Sequence, residues 1–324
     1  MRTENYLPNR HRLSVFDLVG NPSGREKGSR GGPAEVQPDM QAGAAFLVVA
    51  RGCIRNFCLN AALLVDGGSS EAVHRARVAL RRLASAVSLF GSLMPDEQRR
   101  ELRRRLKEVL GPLGEARNLD VFITRCPSDE LDMVLLSGRA LELRSAAYAR
   151  LAETLSGPSA CRLPVDAVEW IEACAHASPE AEEPVHPYAA RHLEKRLRSF
   201  RRRSRDLEAA SPHCRHRARI AAKKLRYASE FFLPLVADDE RRAAKRFIDA
   251  LKAVQAVLGE LNDVRVNGEL ANRVAVDAPY VAFAAARLAR AEQRRGESLV
   301  RRAVKARDRF TREEPFWKGW REEA

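Results

Sequence analysis

Along most of the chain, apolar residues recur every three or four positions, the spacing of one buried face on an α-helix. From Asp39 onward Ala, Leu, Arg and Glu dominate, and the strict alternation of a half-buried strand is nearly missing. The pattern predicts helices near residues 39–66, 70–93, 96–115 and 131–156, and a short one near 165–176. Helices then resume near 187–209, 213–236, 239–261 and 279–311. Gly67-Gly68, Pro95, Ser156-Gly157-Pro158, Pro212, Pro234 and Pro279 mark the edges. Residues 1–38 contain the run NPSGREKGSRGGP, whose Gly, Ser, Pro and charge cannot build a core, and read as a flexible tail. Residues 312–324 read as a second tail. The fold class predicted is all-α.

The helical pattern repeats. His74 to Leu83 reads HRARVALRRL and His216 to Leu225 reads HRARIAAKKL, so His74 answers to His216 and Leu83 to Leu225. The histidine, every cation and the closing leucine recur. A second block follows each copy: Leu113-Gly114-Glu115 leads to Arg117-Asn118-Leu119-Asp120-Val121, and Leu258-Gly259-Glu260 leads to Leu261-Asn262-Asp263-Val264. Gly114 thus answers to Gly259, at a slightly longer step than the histidines. Two blocks in one order predict a duplicated helical unit. The expected layout is a first bundle at 39–176, a linker at 177–186 and a second bundle at 187–311. Together they form two packed four-helix bundles related by a pseudo-two-fold axis.

The repeated helices carry charge on one side. With His74 at zero and about 100° per residue, Arg81 falls near −20° and Arg77 near −60°, while Ala76, Leu80, Leu83, Val87 and Phe90 lie opposite. His216, Arg219, Lys223, Arg226 and Tyr227 share the matching face of the second copy. Solvated faces usually mix signs, yet there is no acid from Val73 to Pro95 or from Ser211 to Ser229. Such stripes repel themselves unless an anion lies on them. The next helix of each unit adds Arg100, Arg103 and Lys107, then Arg241, Lys245 and Lys252. A third stripe holds Arg191, Lys195, Arg198, Arg202 and Arg205, spanning about 21 Å of helix. A small anion cannot engage that length, and a polymer can. In the first unit only Arg51 and Arg55 keep this pattern, so the halves are expected to contribute unequally.

Composition agrees. Net charge is +14 with pI near 10.0, which implies a polyanionic partner or an anionic surface. Arginine supplies most of it. GC-rich codon usage would account for that, but five of the nine lysines (Lys107, Lys223, Lys224, Lys245 and Lys252) lie inside repeated blocks, which codon usage does not explain. The six cysteines show neither C-x-x-C nor zinc-ligand spacing and read as small core residues in a reducing compartment. No uninterrupted apolar run reaches the roughly 20 residues of a membrane span, and the N-terminus has no signal-like apolar stretch. A cytoplasmic protein is expected.

The order H-x-x-R-V-x-x-R-R-L, L-G-x-x-R-[DN]-x-D-V, H-x-x-R-I-x-x-K-K-L-R-Y and L-G-x-L-N-D resembles the CHAD family across about residues 40–310. The resemblance implies two four-helix bundles around a basic central groove, binding of inorganic polyphosphate and collection at polyphosphate granules. By position it marks His74, His216, Arg77, Arg81, Arg82, Arg219, Lys223, Lys224 and Arg226. Many relatives add a triphosphatase domain with a Glu-x-Glu-x-Lys strand, which this sequence does not contain.

The function expected is non-catalytic binding of polyphosphate, with no cofactor and no metal. Neighbouring cations should hold both histidines neutral. As neutral groups they serve either as ligand donors or as anchors. Glu115 with Asp120 and Glu260 with Asp263 are expected to cap helices or pair with the cationic stripes. No P-loop is present. Two alternatives remain open: sequence-independent binding of single-stranded nucleic acid, and a helical scaffold docking acidic proteins. Nucleic acid wants aromatic platforms, and Tyr227 alone among the stripes offers one. A scaffold wants an exposed apolar face beside the basic one, and the stripes show none.

Overall fold

A serine stands shortly ahead of each repeated histidine, and in both places it starts a helix. The Ser69 hydroxyl accepts the Ala72 N–H at 3.4 Å and the Ser211 hydroxyl accepts the Cys214 N–H at 3.3 Å. Each satisfies one of the donors that a helix start leaves free. The computed structural model describes residues 35–65, 69–127 and 129–321. Among these residues the helices are α1 (Ala42–Val65), α2 (Ser70–Leu89), α3 (Asp96–Ile123), α4 (Leu131–Ser156), α5 (Pro158–Cys174), α6 (Val185–Arg203), α7 (Pro212–Phe232), α8 (Arg241–Ala275) and α9 (Ala282–Phe310). The chain is all-α in these residues; the one β-type contact is an isolated bridge between Gln41 and Pro184. The Gly67-Gly68 breaker and residues 1–34 lie outside the described residues.

Four edges differ most from expectation. α3 runs through Pro112 to Ile123, and α8 through Gly259 to Ala275. Pro112 removes one N–H, and the carbonyl it deprives belongs to Glu108, an exposed residue that water can serve. In α8, Leu258, Leu270, Ala271 and Val274 are buried, and that burial outweighs the roughly 1 kcal/mol cost of an interior glycine. α5 begins at Pro158, where a proline loses nothing, and continues past Pro164. α6 stops at Arg203, short of the expected residue 209.

Neither expected tail is free over its described part. Val36 is buried in the core. Phe316, Trp317 and Trp320 are buried too, with Phe316 and Trp317 edge-on to Phe247 at 5.7 and 5.2 Å. At the start of α1, a Cβ on Gly43 would meet the Ala175 carbonyl oxygen at 1.9 Å. Only glycine lets α1 start against the end of α5.

In each half the helices pack in chain order, α1 on α2 on α3 on α4, and α6 on α7 on α8 on α9. α5 lies across α1 and α3. The halves meet where α2 touches α7, α3 touches α8, and α4 touches α8 and α9. At that junction Phe90 and Phe232, which hold the same place in the two copies of the repeat, meet edge-on at 5.9 Å. Phe90 also stacks on Phe46 and on Tyr188.

The hydrophobic core does not divide by halves. The larger cluster draws on α1, α2, α3, α6, α7 and α8 together. A smaller one is built from the far ends of α3 and α8 with α4 and α9, including Phe122, Met133, Leu136, Leu270 and Val281. One expectation about membranes also changes. Although its apolar run is interrupted, α1 is long and apolar enough by composition to cross a bilayer, with a mean hydropathy of 1.4 over 18 residues. Here one side of it, including Phe46, Val49, Ile54 and Phe57, is buried in the core.

Candidate functional site

The first half of α2 and the middle of α7 turn their charged faces into one cleft of about 520 Å³. His74, Arg77 and Arg81 come from α2, and Arg219, Lys223, Arg226 and Tyr227 from α7. The remaining walls are the ends of the longer helices. α3 supplies Arg117, Asn118 and Val121, and α8 supplies Gln255, Gly259, Glu260, Asn262, Asp263 and Asn267 among others. These walls exist because α3 and α8 continue past residues 115 and 261, where the pattern suggested an end. A Cβ on Gly114 would make only ordinary contact, 3.8 Å from Arg77 Nε, and one on Gly259 would meet nothing within 4 Å.

Six basic side chains, five of them arginines, face two carboxylates in this cleft. One of the two, Glu260, is already bound to Arg295 at 2.8 Å and faces Arg302 at 3.5 Å, both on α9. Asp263 is left opposite Arg77, Arg219 and Lys223. Burial, then Arg219, Arg81 and Arg77, drive the Lys223 ammonium down to about 5, so this lysine is neutral near pH 7. Arg77 and Arg219 are pushed down to about 10, by burial first and the charge of Arg81 next, and stay charged. Three buried donors on the walls, Arg219 Nε, Arg226 Nε and Asn267 Nδ2, and one acceptor, Gln255 Oε1, have no hydrogen-bond partner among the described residues. The site is a cluster of mutually repelling cations with unspent donors, a state that an anion relieves.

Both histidines are held below the ordinary imidazole range, by burial first. Arg117 is the next cause at His74, while Arg219 acts at His216. Burial thus leads the cations that the sequence pointed to. His216 Nδ1 lies 3.0 Å from the Asn262 side-chain oxygen, which ties the first repeated block to the second and makes His216 an anchor. His74 lines the cleft beside Arg117 and is free to contact a ligand.

Not all the expected cations gather here. Arg82 turns to the far side of α2, pairs with Glu230 and stacks over Phe231 at 5.0 Å and Tyr227 at 5.5 Å. Arg103, Lys195 and Lys224 line a separate cleft of about 400 Å³ between α3, α6 and α7. Arg191 is held by Glu183 at 2.5 Å and by Glu180 at 3.4 Å. Arg198 lies 3.5 Å from Glu194, and Arg202 is exposed near the end of α6. The continuous 191–205 stripe is therefore not realised: one end is neutralised, and Arg205 falls past the helix. On α3, Arg100 and Lys107 are exposed away from the cleft wall. On α8, Arg241 sits 3.4 Å from Asp238, Lys245 is exposed, and Lys252 binds Asp249 at 2.8 Å. Lys107 and Lys252 do stand two turns before Gly114 and Gly259 on the same helix face, about 10 Å from the cleft floor.

Tyr227 is buried and unable to act as an open stacking platform. Of the recurring acids, Glu115, Asp120 and Glu260 pair outside the stripes, and Asp263 alone faces them. Asp120 accepts from Arg144 at 2.7 Å and from the Tyr148 hydroxyl, and Glu115 faces Arg273 at 3.0 Å and Arg150 at 3.1 Å. These arginines lie on α4 and α8. Among the described residues, no group of three His, Cys, Asp or Glu side chains could hold a metal ion. Sequence reasoning missed Arg117, Asn118, Gln255, Asn262 and Asp263 as cleft residues. The signal for four of them was present, since they belong to the second repeated block.

The CHAD domain family model matches residues 48–272. The fold is similar to the crystal structure of the CHAD domain from the plant Ricinus communis, at 24% identity and a TM-score of 0.78, covering 89% of this chain and 97% of that one. It is also similar to PptA from Streptomyces chartreusis, at 15% identity and a TM-score of 0.60, covering 83% of this chain and 99% of that one. No curated protein matches the chain.

Proposed function

The chain belongs to the CHAD domain family, and from that premise we propose that it binds inorganic polyphosphate without transforming it, in the cleft between α2 and α7. On this reading the two halves are a duplicated unit, two helical bundles around a basic groove, and the granules where polyphosphate collects in the cytoplasm are where the protein works. The observation that carries it is the cation cluster itself: Arg77, Arg81, Arg117, Arg219 and Arg226, with the Lys223 amine among them, facing one unengaged carboxylate, Asp263, while Arg226 also lies 3.7 Å from Glu230. Arginine forks match phosphate oxygens in pairs, and buried donors without partners are suited to a ligand made of acceptors.

A binder is favoured over a catalyst because of the donor set. Phosphoanhydride hydrolysis calls for carboxylates that position a metal and water, and one of the two cleft carboxylates is committed to Arg295 and Arg302. Tyr227 in the core removes the platform that single-stranded nucleic acid would use.

The test is calorimetric titration with polyphosphates of graded length against single-stranded DNA of equal charge. Long chains should bind far more tightly than pyrophosphate, and more tightly than the DNA. Equal or tighter binding of DNA overturns the choice of polymer. Release of orthophosphate on incubation with Mg²⁺ overturns the non-catalytic reading.

A further inference from the structure

Beyond the central cleft, the geometry points to a second anion site, between α2, α3, α6 and α7, that takes a compact phosphate group rather than the body of a polymer. Its unpaired cations are Arg103, Lys195, Arg196 and Lys224, Arg99 at its wall being tied to Asp96, and no carboxylate lines it. Arg196 is largely buried, which pushes its guanidinium down to about 10, and its Nε has no partner among the described residues. Lys224 is lowered by burial and then by Arg196 and Arg103. The nearest acids are engaged by other residues of the rim. Asp96 is paired with Arg99, whose guanidinium also donates to the Gly91 carbonyl. Glu180 accepts from Ser92 at 3.0 Å and lies 3.7 Å from His192. His192 is stacked on Tyr188 at 4.2 Å and held near 4, mainly by burial, so it is a neutral wall.

A built-in control lies across the molecule. A second cleft, between α1, α2 and α7, is lined by Gly52, Asn56, Ala79, Arg82, Glu230 and Phe231. The repeat that carries His74 to His216 also carries Ala79 to Ala221, Arg82 to Lys224 and Ser88 to Glu230. Between α1 and α6, the register that matches Arg51 with Arg191 carries Gly52 to His192 and Asn56 to Arg196. The two clefts are thus built from the same positions. In one, Glu230 discharges Arg82 and Asn56 brings no charge. In the other, Ser88 stands where Glu230 does, so Lys224 goes unpaired, and Arg196 adds a cation. A cleft of about 400 Å³ with four cations and serine hydroxyls suits two or three phosphate groups. Their source is either a free oligophosphate or the end of a long chain.

The experiment titrates tripolyphosphate into the full chain and into two variants, with circular dichroism and Tm confirming the fold of each. Arg103→Met with Lys224→Met should weaken tripolyphosphate by about tenfold or more, while Arg77→Ala with Arg219→Ala should leave it within about threefold. Lys224→Arg should retain binding. Tripolyphosphate affinity that ignores Arg103 and Lys224, or that falls only with the central pair, overturns the proposal. Long chains lost only in the Arg103 and Lys224 variant would sink the central reading and leave this one standing. Competition with long chains capped as phosphoramidates separates the sources. Displacement only by uncapped chains marks a chain end, and displacement by neither marks a free oligophosphate. Equal displacement by both means the site takes the polymer's interior, which overturns the compact ligand.

Discussion

Arg82 and Lys224 hold the same place in the two copies of one motif, and they keep different electrostatic company. Arg82 rests on Phe231 and Tyr227 with Glu230 as its counter-ion. Lys224 has Arg103, Arg196 and Arg203 around it and no carboxylate at hand. One step earlier in the motif, Arg81 and Lys223 do converge, on the central cleft. The same two cations per copy therefore supply one shared site, one structural ion pair and one unpaired charge. The lesson is that a repeated motif preserves which way side chains point, whereas the charge that meets them comes from outside the motif. Here Glu230 in one place and Ser88 in the other make the difference.

The largest expected effect comes from emptying the shared site. Arg77→Ala, Arg81→Ala, Arg219→Ala and Lys223→Ala together should abolish long-chain polyphosphate binding at physiological salt while the helical circular dichroism remains. A less complete loss should still lower the slope of log affinity against log salt by about three, at about 0.7 per phosphate contact removed. Retained affinity with an unchanged slope would place the polymer elsewhere.

Next comes pH. Lys223 is neutral in the free cleft, at about 5, and a polyanion beside it favours its charged form. Binding should then take up a proton, and affinity should fall by up to about tenfold per pH unit above pH 5. Calorimetry in buffers of different ionisation enthalpy measures the uptake, and Lys223→Met should remove it. Proton uptake that persists in Lys223→Met would assign the titration to another group.

Moving the carboxylate tests the comparison directly. Ser88→Glu should place a counter-ion beside Lys224 and cut tripolyphosphate affinity by about tenfold, leaving long-chain binding nearly unchanged. Glu230→Ser should strand Arg82 in a half-buried setting and cost about 1–2 kcal/mol of stability, read as a lower Tm. An unmoved Tm would mean the Arg82 stacking suffices without the ion pair.

The smallest effect is on stability. The unfolded lysine binds a proton up to its ordinary value near 10.5, and the folded one only up to about 5. Between those limits the unfolded state holds more protons, so this group's contribution makes stability rise with pH. Lys223→Met should flatten that rise and lift Tm near neutral pH by about 2 °C. A fall in Tm would show that the lysine stem packs better than methionine.

Much of this was legible in advance. The 3.6-residue period set the faces of α2 and α7, and the HRAR repeats singled out His74, Arg77, Arg81, His216, Arg219 and Lys223, all of which lie in or against the cleft. The 191–205 stripe misled, because Glu180 and Glu183 reach Arg191 from the loop before α6, and spacing within a helix does not register its neighbours. The ends expected at 115 and 261 fell short of Ile123 and Ala275, since the burial of Leu119, Phe122, Leu270 and Val274 against other helices is not visible in the local pattern. Arg196 escaped notice because it lies off the stripe, on the side of α6 that faces α2 and α7.

By itself, then, the sequence determined helix identity, the charged faces of α2 and α7 and the internal repeat, because backbone periodicity and repeated residues are local properties. Tertiary structure decided which cations share a cleft, which are neutralised and which lose their proton. Those outcomes depend on burial and on charges brought from helices far along the chain, and at a few ångströms such charges outweigh anything that adjacent residues contribute.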